Sequence, residues 1–203
     1  MMENELIENH HRFLERIALY NKFGYDIEKE RSSIIEKARP ISGKILEAGT
    51  GKGYFALALA QKGFNFTSFD ISDTEQKYAR LNLMYYGLEQ QVHFDVADAE
   101  SLPYTDNFFH IIFAVNMIHH LSSVGKAINE LIRVLSPSGK IVLSDFNKRG
   151  FAVLDKIHAL EGRKHEVCAG TLTEVKAIIK HGFKLEEYHG ATQDVLIAYR
   201  VIR

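Results

Sequence analysis

Apolar residues recur at helical spacing over residues 4–20, where Leu6, Phe13, Leu14, Ile17 and Leu19 stand out from a polar background. Asp26 then fits the N-cap of a second helix over 27–38, which must end before Pro40. From Gly43 onward the pattern alternates between short apolar runs and helical stretches. Lys44–Ala48 predicts a strand, Tyr54–Gln61 a helix closed by Gly63, and Phe64–Phe69 a second strand. Ser72 with Glu75 forms a capping box that opens a helix to Tyr86, closed by Gly87. Val92–Phe94 and Phe108–Val115 read as strands, the second long and apolar, as a strand buried on both faces should be.

A helix over Val124–Leu135, a turn at Ser136-Pro137-Ser138-Gly139 and a strand at Lys140–Ser144 follow. Further helices are predicted at 150–160 and 174–181, the latter with a Thr171/Glu174 cap. Phe183–Tyr188 and Val195–Ile202 read as a closing hairpin. Seven strands in a βαβαβ rhythm imply an α/β protein, with helices on both faces of a mostly parallel sheet. Ligands in such sheets bind beyond the carboxyl ends of the strands, so the chemistry is expected there.

Composition narrows this little. The chain has 203 residues, 46% hydrophobic and 25% charged, which suits one domain. Its 25 basic and 26 acidic residues leave no basic excess to attract nucleic acid. The single cysteine, Cys168, cannot form an intramolecular disulfide. The polar, acidic start is unlike a signal peptide and no apolar run reaches membrane-span length, so a cytoplasmic protein with no membrane partner is the expectation.

The first strand runs into Glu47-Ala48-Gly49-Thr50-Gly51-Lys52-Gly53. Glycines here permit a tight turn and close approach of backbone to ligand, at a helix N-terminus. In a dinucleotide fingerprint counted from Gly49, the third glycine position holds Tyr54, too bulky for close pyrophosphate packing; a P-loop is not supplied either. Glu47, two residues before the first glycine, suits a ligand bearing an ammonium or sulfonium group better than a pyrophosphate. This stretch resembles the first motif of the class I S-adenosylmethionine-dependent methyltransferases, and the likeness runs from Gly43 to Ser144.

The resemblance implies a Rossmann-like fold whose seventh strand is antiparallel, and S-adenosylmethionine as cofactor. It implies that Glu47, Ala48, Gly49, Thr50, Gly51 and Gly53 belong to the cofactor loop, that Asp70 accepts the ribose hydroxyls, and that Ile71 packs on adenine. Asp98 would meet the adenine amino group, with Ala99 and Glu100 alongside, and Asn116 and Met117 would face the methionine part. Tyr20, Phe23 and Tyr25, between the first two helices, are candidates to fold over the cofactor. His119 and His120 resemble residues of small-molecule members of the quinone-biosynthesis type and are candidates to position an acceptor or take its proton. Asp145 is a further catalytic candidate at the active-site edge of its strand.

The expected organisation is a single domain over 1–203, with an N-terminal helical cover (1–38), a cofactor-binding core (43–145), and a lid segment with C-terminal strands (146–203). His158, His165 and Cys168, with Glu161 and Glu166 nearby, invite a metal reading, but no second compact ligand pair accompanies them, so no metal is expected. The acceptor is expected to be a small molecule rather than DNA. Asn116 is followed by Met117, Ile118 and His119, not by the Pro-Pro-aromatic clamp of enzymes that methylate amino groups of bases or amides. Two alternatives stay open: a cofactor-binding module without catalysis, and a nicotinamide-dependent oxidoreductase.

Overall fold

A computed structural model describes residues 2–162 and 170–201. Helices α1 (Met2–Lys22) and α2 (Ile27–Lys37) lead into β1 (Ile45–Ala48), α3 (Tyr54–Gln61), β2 (Phe66–Asp70), α4 (Asp73–Tyr85) and β3 (Val92–Val96). Then come β4 (Phe109–Val115), α5 (Val124–Val134), β5 (Leu135–Phe146), α6 (Lys148–Leu160), α7 (Leu172–Ile179), β6 (Phe183–His189) and β7 (Gln193–Arg200). The predicted caps form: Asp26, Ser72 and Thr171 accept from the backbone N–H groups of Lys29, Glu75 and Glu174.

The seven strands lie in the order β3-β2-β1-β4-β5-β7-β6. The first five are parallel, β7 inserts antiparallel beside β5, and β6 pairs antiparallel with β7. Alternation along β4 explains its apolar run from Ile111 to Val115. Ile111, Phe113 and Val115 join the core under α1, α2, α3 and α6, while Ile112 and Ala114 join the core under α5 and α7. The order reverses between β1 and β4, which puts the ends of those strands at the natural ligand crevice.

Several boundaries differ from expectation, and those around β5 matter most for the site. The Ser136–Gly139 turn is absorbed into β5, where pairing with β4 jumps from Phe109↔Leu135 to Ile111↔Lys140. Gly139 permits this irregularity, since a Cβ there would lie 2.8 Å from the His110 carbonyl oxygen. Asp145 accordingly sits inside β5, one residue before its end. Helix α6 starts two residues early because Asn147 caps it, its Oδ1 accepting from the N–H groups of Arg149 and Gly150. The first two helices are docked on the core: Phe13, Ile17, Tyr20, Tyr25, Ile27 and Ile34 are buried, and Asn9 Nδ2 donates to Asn82 Oδ1 of α4 at 2.8 Å.

Candidate active site

The loop after β1 is shaped by its glycines. Gly49 has φ +81°, and a Cβ on it would strike Met117 at 2.8 Å; one on Gly53 would strike Ala79 at 2.6 Å. Gly51, also with positive φ, has no neighbour within 4 Å of that position and faces open space. Asp70 at the tip of β2 ties the loop down. One carboxylate oxygen accepts from Gly51 N–H at 2.7 Å and the other from Ser72 N–H at 2.9 Å. Beyond β3, Asp98 accepts from Glu100 N–H at 2.8 Å, holding its loop beside Asp70.

Two chambers of about 510 Å³ each open at this strand edge. They share Gly49, Gly51, Asn116 and His120. One is acidic, walled by Asp70, Glu75, Asp98 and Glu100, with the apolar Ile71 exposed at its rim and Ala99 and Met117 alongside. The other is basic and aromatic: Arg16, Arg31 and Lys52 line it with Tyr20, Tyr25 and Phe146, and no carboxylate is among its described lining residues.

His119 lines the basic chamber, 1% exposed. Its Nδ1 lies 2.6 Å from Asp145 Oδ1, and its backbone N–H donates to Asp145 Oδ2 at 3.0 Å. Phe146 N–H adds a bond to Asp145 Oδ1 at 2.8 Å. The buried carboxylate thus fixes the imidazole ring, with the His120 ring centre 4.0 Å away. Asp145 stands behind His119 rather than in the chamber.

Asn116 takes a left-handed φ of 55° as β4 ends, a conformation that Asn tolerates better than most residues. Its N–H is held by Ser144 O at 2.8 Å, its Oδ1 accepts from Gln193 Nε2, and its Nδ2 reaches Tyr25 Oη at 3.4 Å. Tyr25 Oη in turn donates to Gln193 Oε1 at 3.0 Å and accepts from Arg31 Nη1 at 3.0 Å. This buried network joins α2, the α1–α2 turn, β4 and β7. Burial raises the Tyr25 hydroxyl above its ordinary value, so it stays protonated.

Glu47 is placed differently from the expectation of a free charge facing the ligand. It is 1% exposed beneath the loop, accepting from Ser68 Oγ at 2.6 Å, and that hydroxyl lies 2.6 Å from Thr50 Oγ1. Burial pushes its carboxyl up to about 8, so it is mainly neutral at pH 7. Ala48 and Gly53 are likewise buried support for the loop and line neither chamber. Tyr20 and Tyr25 do line the basic chamber, whereas Phe23 packs at the core edge.

Arg31 and Gln193 escaped the reading of the sequence. Arg31 had a signal: it shares the i, i+4, i+7, i+8 face with Ile27, Ile34 and Ile35, all buried. Gln193 had none, because its neighbours in the network are distant in the chain. His165, Glu166 and Cys168 lie outside the described residues. Among the described residues no three His, Cys, Asp or Glu side chains cluster to hold a metal, and no helix is long and apolar enough to cross a membrane.

Residues 46–143 match the family described as "Methyltransferase domain". Methyltransferase GfsG of Streptomyces halstedii is 36% identical over 108 residues, 53% of this chain and 39% of that protein. The ubiquinone/menaquinone biosynthesis C-methyltransferase UbiE of Rickettsia akari is 34% identical over 124 residues, 58% of this chain and 50% of that one. The chain therefore spans half or less of the length of these curated relatives. A SAM-dependent methyltransferase structure from Aquifex aeolicus shares the fold with a TM-score of 0.66 at 21% identity, covering 84% of this chain and 89% of that one. Glycine loop, sheet order and sequence kinship agree: residues 46–143 match a methyltransferase domain, and the fold around them is shared with S-adenosylmethionine-dependent methyltransferases.

Proposed function

We propose that the protein transfers the methyl group of S-adenosylmethionine to a small-molecule acceptor. The observation that carries this reading is the meeting of the two chambers at Asn116. The acidic chamber suits the nucleoside: Asp70 accepts the ribose hydroxyls, Ile71 covers adenine, and Asp98 with the Ala99 and Glu100 segment meets its polar edge. Gly51 leaves room for the ligand backbone, and Asn116 and Met117 flank the amino-acid part. The methyl group is then presented to the basic chamber, where the acceptor sits against the aromatic wall.

The sulfonium is already an activated donor, so the protein's task is to align a nucleophile with the S–CH₃ bond and exclude water. In this reading the nucleophile attacks the methyl carbon, the C–S bond breaks toward sulfur, and S-adenosylhomocysteine leaves. His119, oriented by Asp145, takes the acceptor's proton where it has one to lose, with His120 beside it. Residues 1–38 act as a cover over a core spanning 43–145, within one domain that also includes the C-terminal strands. Buried Tyr20 and Tyr25 support that cover role. The near-neutral chain favours a metabolite over DNA.

The test is calorimetry with S-adenosylhomocysteine, then transfer from methyl-labelled cofactor to duplex DNA, structured RNA, a protein extract and a protein-free metabolite extract. Binding at 1:1 with label in the metabolite fraction is expected. Heat with NAD but none with either adenosyl compound overturns the reading.

A further inference from the structure

The basic chamber receives the methyl group in the reading above, and its charge is one-sided. Arg16, Arg31 and Lys52 line it with three histidines, and no carboxylate is among its described lining residues. Arg16 is paired with Glu161 just past α6 and donates to Tyr20 Oη at 3.2 Å. Lys52 makes no ion pair with a described carboxylate, and its Nζ lies 5.7 Å from the centre of the Tyr78 ring. Its main chain is fixed, because Asn82 Nδ2 donates to the Lys52 carbonyl at 2.9 Å. The acid beneath the loop, Glu47, is mainly neutral at pH 7. S-adenosylmethionine itself brings a net positive charge, a sulfonium and an ammonium against one carboxylate. The rest of the chamber wall is flat and apolar. Phe146 and Leu154 line it, and the Phe151 ring stands edge-on to His119 at 5.3 Å.

A family match over residues 46–143 does not name the accepting atom. Charge balance discriminates between the possibilities. A neutral amine that attacks the methyl carbon sends the C–S pair to sulfur and becomes an ammonium. The positive charge then moves onto the acceptor, in a chamber with no described carboxylate to receive it. An O–H or C–H acid first gives its proton to a base. Its electron pair then attacks, the C–S pair goes to sulfur, and anion and sulfonium leave as two neutral groups. Fixed cations lining a cavity stabilise such an anion before transfer. We propose that the acceptor is a phenol or enol that reacts as its anion, with Lys52 as a specificity-determining residue and the aromatic wall against its ring. The base is the imidazole of His119, held by Asp145. The inference rests on the methyl-transfer reading and names the acceptor class within it.

The test uses 4-nitrophenol and 4-nitroaniline, which are nearly isosteric, although only the first ionises to an anion with a visible band. Each is titrated, by absorbance and calorimetry, into protein saturated with S-adenosylhomocysteine, at a pH below the midpoint of free nitrophenol. The phenolate band is expected to grow on binding, with nitroaniline bound at least about tenfold more weakly. Lys52→Glu should weaken nitrophenol about three- to tenfold and leave nitroaniline within about twofold, which also shows that the variant is folded. In a second arm, wild type is incubated with methyl-labelled cofactor and a protein-free metabolite extract, and labelled products are fragmented by mass spectrometry. Label on oxygen or carbon is expected. Four results each overturn the inference and leave the methyl-transfer reading standing: label on nitrogen alone, nitroaniline bound as tightly as nitrophenol, no growth of the phenolate band, or equal responses of both probes to Lys52→Glu. Wild-type protein that neither binds S-adenosylhomocysteine nor transfers label overturns both.

Discussion

Asp145 grips His119 twice, through the ring at Nδ1 (2.6 Å) and through the backbone N–H (3.0 Å). Such a double hold selects one ring orientation. Nδ1 faces the carboxylate, and Nε2 is turned away from it.

If His119 takes the acceptor's proton, then His119→Gln and Asp145→Asn should each lower single-turnover label transfer by roughly 10²–10⁴-fold. S-adenosylhomocysteine affinity should stay within about threefold, because neither side chain is placed against the nucleoside. Rapid-quench transfer and calorimetry on the same preparations check this. Full activity in both variants would mean that the acceptor needs no base.

Removing Asp70 should cost cofactor binding about 1.5–3 kcal/mol, the scale of lost charge-assisted hydrogen bonds. Asp70→Ala also frees the Gly51 and Ser72 N–H groups, so part of the loss comes from a looser loop. Asp70→Asn, which retains one acceptor oxygen, should lose less. Calorimetry giving wild-type affinity for both would place the ribose elsewhere.

The glycine loop predicts two separable defects. Gly51→Val meets no neighbour but forces a β-branched residue to φ +49°, so melting temperature should fall from backbone strain alone while cofactor affinity drops steeply. Gly53→Ala drives a Cβ against Ala79, so stability should fall by about 1–3 kcal/mol. Thermal melts paired with titrations distinguish the two; an equal pattern in both variants would contradict the loop geometry.

Glu47 makes stability depend on pH with a definite sign. Its ordinary value is 4.5 and burial raises it to about 8 in the folded chain. Below pH 4.5 both states hold the proton and nothing is lost. Between those values the unfolded chain releases the proton while the folded one keeps it, so stability falls as pH rises, by an amount of order 4–5 kcal/mol in total. Glu47→Gln cannot ionise and should escape this loss. Its melting temperature, compared with wild type, should gain steadily from pH 5 to pH 8 and then level off. Parallel curves for the two proteins would show that Glu47 is charged when folded.

Much of the frame was readable because it depends on local rules. Asp26, Ser72 and Thr171 announce their helices through short-range hydrogen bonds, and β4 announces burial on both faces by its apolar run. The loop glycines and Asp70 were readable because close approach and a strand-end acid leave marks at fixed spacing. Arg31 was lost because a charged residue on a helix is read as solvated unless its face is plotted. The neutrality of Glu47 was unreadable, since it comes from burial under β2 and α3. Gln193 was invisible for a stronger reason: its partners Asn116 and Tyr25 are 77 and 168 residues away.

Those separations also bear on how the chamber is built. Closing a loop between residues 25 and 193 is entropically expensive, and the hydrogen bonds repay it only once β7 has docked beside β5. The parallel core β1–β5 can assemble from nearer neighbours, leaving the α1–α2 turn and β7 to arrive late. A kinetic intermediate of this protein would therefore hold a formed glycine loop and an unfinished basic chamber. Amides of β4 and β1 would gain protection from exchange before those of β7.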